Sequence, residues 1–144
     1  MHKRAKTELI IFLLIIAVAA FFRLYKLDSI PPGLYPDEAM NGNNALTALD
    51  EGKFRVFYPD NNGREGLFIN IQTLSLKFLG IHSWSLRLVS AIIGILTVAG
   101  LYLLVKEMFG WRQAALAAFM MAVSSWHVIF SRIGFRAIML PFIL

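Results

Sequence analysis

Leu88-Val89-Ser90-Ala91-Ile92-Ile93-Gly94-Ile95-Leu96-Thr97-Val98-Ala99-Gly100-Leu101-Tyr102-Leu103-Leu104-Val105 carries no charged side chain, and only Ser90 and Thr97 break its apolar character. As a helix rising about 1.5 Å per residue, a run of this length nearly matches the roughly 30 Å hydrocarbon core of a bilayer. It therefore predicts a transmembrane helix, and with it the fold class. Ser90 and Gly94 form a small-xxx-small pair, which predicts close approach of a neighbouring helix.

Working outward, Leu9 to Phe22 is continuously apolar and predicts a first span once its flanks at about 7–25 are included. Arg23 and Lys26 are expected to snorkel outward at its end. A basic start, an apolar run and Ala17-Val18-Ala19 also fit a cleaved signal peptide, but Ala20, Phe21 and Phe22 continue the run past the supposed cut. An uncleaved span is preferred. Lys106, Glu107, Phe109-Gly110 and Arg112 predict a tight return loop, and Ala114 to Phe130 a third span with a polar end at Ser124, Ser125 and His127. The run at 137–144 is too short to cross and predicts the start of a further span, in the N-terminal part of a longer protein.

The composition agrees, at 58% hydrophobic and 16% charged residues. The formal charge of +5 resolves into small basic clusters at the N-terminus, in the return loop and at Arg132 and Arg136. No basic stripe with interleaved aromatics exists, so nucleic acid is set aside as a partner. The absence of cysteine excludes disulfides, thiolate catalysis and cysteine metal sites. The expected architecture is an all-α membrane protein forming one domain. Its spans fall at about 7–25, 86–105 and 113–130, with a long first loop at 26–85 carrying short juxtamembrane helices.

Within that loop, Pro31-Pro32-Gly33, Glu51-Gly52 and Asn61-Asn62-Gly63 are turn signals. Asp37 to Leu49 predicts a helix starting at Pro36 or Asp37 and closed by Gly52. Leu67 to Ile81 has apolar residues at 67, 71, 74, 78 and 81, the pattern of a helix lying in the membrane interface. The alternation Ile69, Asn70, Ile71, Gln72 also permits a short strand.

The basic N-terminus at Lys3, Arg4 and Lys6 predicts a cytoplasmic start, which places the first loop outside. Arg132 and Arg136 then also fall outside, against the usual charge bias. They would share that face with Asp37, Glu38 and Arg64. Carboxylates beside arginines suit chemistry in which a base deprotonates a hydroxyl while cations hold a phosphate.

The ordered set comprises a basic N-terminus, Phe22-Arg23-Leu24, Pro36-Asp37-Glu38-Ala39, Asn62-Gly63-Arg64-Glu65-Gly66 and Phe130-Ser131-Arg132-Ile133-Gly134-Phe135-Arg136. It resembles the start of a GT-C membrane glycosyltransferase, most similar to the dolichyl-phosphate-mannose protein mannosyltransferase and aminoarabinose transferase relatives. The resemblance implies inverting transfer of a sugar from a polyprenyl-phosphate donor to a hydroxyl acceptor on a protein, lipid or glycan. It implies Asp37 as general base and Glu38 as its neighbour, positioning the acceptor or a cation. Arg64, Glu65, Arg132 and Arg136 are the implied substrate-binding residues, the arginines on the lipid phosphate. Gly63-Arg64-Glu65-Gly66 stands where the mannosyltransferases have a His-Pro-Pro-like stretch, and no acid follows Arg132. The sugar and acceptor therefore do not carry over. No cofactor is evident, and a divalent metal is left open without residues that indicate one.

Plainer readings exist for each residue. Asp37 and Glu38 also suit the first turn of a helix through its dipole, Arg64 and Glu65 a solvated turn, and Arg132 and Arg136 headgroup anchoring. His127 reads as a hydrogen-bonded helix-end histidine, and Trp84, Trp111 and Trp126 as interfacial belt residues. The competing function is a non-catalytic membrane subunit, a transporter or assembly component with a structured outer loop.

Overall fold

A computed structural model describes residues 2–60 and 63–143, with side chains from Arg4 onward. Asn61, Asn62, Leu144 and the side chain of Lys3, which enter the turn, motif, terminal-run and charge readings above, lie outside the described residues. The protein is an all-α membrane protein with one minimal hairpin. Its elements are α1 (His2–Leu24), α2 (Pro36–Glu51), β1 (Phe57–Tyr58), β2 (Arg64–Glu65), α3 (Gly66–Leu79), α4 (Ser83–Phe109), α5 (Trp111–Val123) and α6 (Ser125–Arg132). A 3-10 turn (Arg136–Met139) and α7 (Leu140–Ile143) follow.

Two helices, Arg4–Leu24 and Ser83–Phe109, are each long and apolar enough to cross a membrane. The expected third span is not one straight helix: α5 and α6 meet at Ser124 with a bend of 57°. Ser124 leaves helical geometry, with φ −59° and ψ 119°. α5 presents Ala114, Ala118 and Ala122, all fully buried, against Ile15 and Ala19 of α1 and Val98 and Tyr102 of α4. Alanines four residues apart lie on one helix face, and their small size lets backbones approach where lipid supplies no hydrophobic drive. Leu13, Leu14, Leu103, Leu104, Leu116 and Met120 point outward, as lipid-facing side chains do.

The loop between the first two spans folds onto the start of α4. Gly52 ends α2 in the left-handed conformation at φ 63°, its N–H bonding back to the last turn. β1 and β2 pair antiparallel, Tyr58 opposite Arg64 and Phe57 opposite Glu65. Successive strand residues face opposite ways, so Arg64 is buried and Glu65 exposed. The stretch from Gly66 is helix and not strand. Its inner face carries Phe68, Ile69, Gln72, Thr73 and Leu76, while Leu67, Leu74 and Phe78 face outward. Ala45, Ala48, Tyr58, Ile69, Leu76 and Leu86 form the core beneath.

Candidate functional site

Pro36 occupies the first position of α2, where its missing N–H costs no hydrogen bond, and Asp37 and Glu38 follow in the first turn. Consecutive helical residues are turned by about 100°, so the two carboxylates leave in different directions. Glu38 points inward and is fully buried. Its Oε1 accepts from Arg87 Nε at 2.8 Å, and its Oε2 from Arg87 Nη2 at 3.3 Å and from the Tyr35 N–H at 3.2 Å. Arg87, near the start of α4, is buried as well. It also donates to the carbonyls of Leu27 at 3.3 Å, Pro31 at 2.9 Å and Gly33. Those contacts occupy all five of its N–H groups, the condition under which a buried ion pair is tolerated.

Asp37 points toward the surface, with 32% of its side chain exposed, and its Oδ1 accepts from Arg64 Nη2 at 2.6 Å. Arg64 itself is buried. Its Nη1 donates to the Asp37 carbonyl at 3.2 Å and to Asn41 Oδ1, and Asn41 Nδ2 donates to the Gly134 carbonyl at 3.0 Å. The segment after α6 is thus tied to the acidic loop. A methyl group on Gly134 would lie 3.0 Å from Gln72 Nε2 and Glu38 Cγ, so the backbone here packs tightly on both side chains. Phe135 meets the Tyr35 ring edge-on at 6.5 Å. Arg136 pairs with the exposed Glu65. Glu65's carboxyl is held below the usual range, first by a hydrogen bond from its own backbone and then by Arg136.

The structure thus brings Asp37, Glu38, Arg64, Glu65 and Arg136 to one end of the bundle. Arg132 is engaged differently. It donates to the carbonyls of Phe22 and Tyr25, each at 2.7 Å, Ile30 at 2.8 Å and Lys26 at 3.3 Å, and so caps the C-terminal end of α1. Arg87 and Arg132 together bind the backbone that connects the first span to the acidic loop.

Arg23 does not snorkel outward: it is fully buried. It donates to the carbonyls of Ala19 and Ala122 at 3.0 Å and Met121 at 3.4 Å, to Ser131 Oγ at 3.2 Å and to His127 Nδ1 at 2.7 Å. The bend at Ser124 frees carbonyls at the end of α5, and Arg23 satisfies them from α1. A guanidinium only donates, so His127 Nδ1 is the acceptor. Gly94 lies beneath, where a methyl group would overlap Ser131 Oγ. The Ser90–Gly94 pair marks a real point of close helix approach.

Arg87, Asn41 and the inward role of Arg23 are absent from the reading of the sequence. Arg87 borders the apolar run and looks like a headgroup anchor, and its carboxylate partner lies 49 residues away. Among the described residues no three His, Asp or Glu side chains converge as metal ligands would.

Apolar spans closed at one end by a carboxylate–arginine cluster mark a multi-pass membrane protein. Residues 67–144, more than half of the chain, match the family model for dolichyl-phosphate-mannose-protein mannosyltransferase, and the chain belongs to that family. That stretch contains Arg87, Arg132, Gly134 and Arg136, while Asp37 lies before it. The chain is also 29% identical over 131 residues to the protein named "Putative mannosyltransferase YkcB" of Bacillus subtilis (strain 168). The similarity covers 85% of this chain and 17% of that protein, so the chain spans about a sixth of its relative's length. No solved structure matches.

Proposed function

We propose that the full-length protein transfers a sugar from a polyprenyl-phosphate-linked donor to a hydroxyl acceptor at the outer membrane face, with inversion at the anomeric carbon. Asp37 is the general base. It takes the acceptor's proton as the hydroxyl oxygen attacks the anomeric carbon, and the bond to the phosphate oxygen breaks on the opposite side. Polyprenyl phosphate leaves with the electron pair. Arg136, exposed and held by Glu65, is assigned to the leaving phosphate. Glu38 is a positioning residue, because both its oxygens are already hydrogen-bonded.

The observation that carries this reading is the contrast within the acidic pair: Asp37 reaches solvent on a buried arginine, while Glu38 is locked inside. Family membership favours glycosyl transfer over a transporter or assembly subunit. The test is transfer of a radiolabelled sugar from polyprenyl phosphate by full-length Asp37→Asn in vesicles. Loss of a general base predicts a rate lower by about a hundredfold to ten-thousandfold at unchanged membrane insertion. Transfer at the unsubstituted rate would remove Asp37 from the mechanism.

A further inference from the structure

We propose that the turn between α4 and α5, together with the start of α1, is a binding site for the headgroup phosphate of an anionic glycerophospholipid. This proposal is independent of the transfer reaction. A cavity of about 370 Å³ opens there, lined by Arg4, Phe109, Gly110, Trp111, Arg112 and Gln113.

The chemistry of the lining is cationic and unneutralised. Among the described residues neither Arg4 nor Arg112 forms an ion pair, whereas Lys106 nearby is paired with Glu8. Glu107 does not line the cavity. The Arg112 guanidinium lies 5.6 Å from the Trp111 ring centre, an arrangement that leaves its N–H edge available to oxygen acceptors. α5 begins at this rim with Gly110 as its cap and no side-chain cap bond. Its first N–H groups have no carbonyl one turn earlier, so they add to the anion-binding character that the arginines establish.

Position selects the ligand. Arg4 precedes the apolar run from Leu9 by about 8 Å of helix, and Arg112 lies in the first turn of α5, just past the Gly110 turn, which places both at headgroup depth. Trp111 beside them suits the same interface. Two unpaired guanidiniums and no carboxylate in the lining favour a headgroup of net negative charge, so phosphatidylglycerol is preferred over zwitterionic phosphatidylcholine.

Full-length protein in nanodiscs containing both lipids, released into native mass spectrometry, reads this directly. The wild type should retain phosphatidylglycerol over phosphatidylcholine. Arg4→Gln/Arg112→Gln should lower that retention by about 25-fold, about fivefold per arginine. Lys6→Gln, on the same helix end but outside the cavity, should change it less than Arg4→Gln does. Unchanged retention in the double variant, or an equal fall in Lys6→Gln, overturns the site. Displacement of the lipid by millimolar inorganic phosphate also overturns it, in favour of a free-anion site. If the double variant does not insert, Arg112→Lys and Arg112→Gln decide: lysine must retain more lipid, and equal values contradict the proposal.

Discussion

Two carboxylates stand side by side in α2, each paired with an arginine from another element, and the two pairs differ in almost everything but their chemistry. Glu38 and Arg87 are both buried, and every N–H of the arginine is used. Asp37 and Arg64 form a half-open pair, with the arginine buried and the carboxylate at the surface. Burial of both partners makes a strut: separating them leaves an ion stranded in low dielectric. Burial of the cation alone makes a handle, holding a solvent-reached carboxylate in one orientation. The difference shows how adjacent residues can divide structure and chemistry.

The largest expected effect breaks the strut. Arg87→Met leaves Glu38 buried and unpaired, with a destabilisation of about 3–5 kcal/mol, read by thermal unfolding of the full-length protein in detergent. Adding Glu38→Gln should recover much of it. A loss under about 1 kcal/mol in the single variant would mean that the pair is not a strut. Arg23→Leu comes next. It removes the Arg23 donor from the Ala122 carbonyl at the α5–α6 bend, leaves the Met121 carbonyl with the Ser124 N–H alone, and should cost roughly 1–3 kcal/mol by the same measurement.

Arg64→Lys sharpens the comparison on the other side. The charge stays but the planar fork that spans the Asp37 carboxylate, the Asp37 carbonyl and Asn41 is lost. Transfer should fall about tenfold, equivalent to roughly 1.4 kcal/mol in the barrier, with a smaller loss of stability than in Arg87→Met because the cation is kept. The smallest effect is Glu65→Gln, which removes an exposed pair and should shift stability by no more than about 0.2–1 kcal/mol. Because the folded Glu65 carboxyl is depressed, its contribution is present above the unfolded value of about 4.3. It disappears only as pH falls through the lower folded value. A pH titration of Glu65→Gln against the parent should therefore show no difference that changes between pH 7 and about pH 5.

How far the sequence reveals the structure depends on how local each signal is. The apolar run at Leu88 to Val105, the proline start of α2 and its Gly52 cap need no distant partner, and all three stand. The Asp37–Arg64 contact was reachable through shared topology, since both lie in one loop. Arg87 was not legible, because a lone arginine bordering a span has the same sequence appearance whether it faces lipid headgroups or a carboxylate. Arg23 failed for a related reason. Its ligands are backbone carbonyls freed by a bend, and Ser124-Ser125 marked the polarity of that place but not the bend itself.

The division of labour between the acids is the central claim, and one paired measurement tests it: transfer rate and unfolding temperature on full-length Asp37→Asn and Glu38→Gln. Asp37→Asn should lose transfer by at least about a hundredfold and lower the unfolding temperature less than Glu38→Gln, whose fully enclosed pair should cost several degrees. An Asp37→Asn protein that unfolds early yet transfers sugar at the parent's rate would contradict the account.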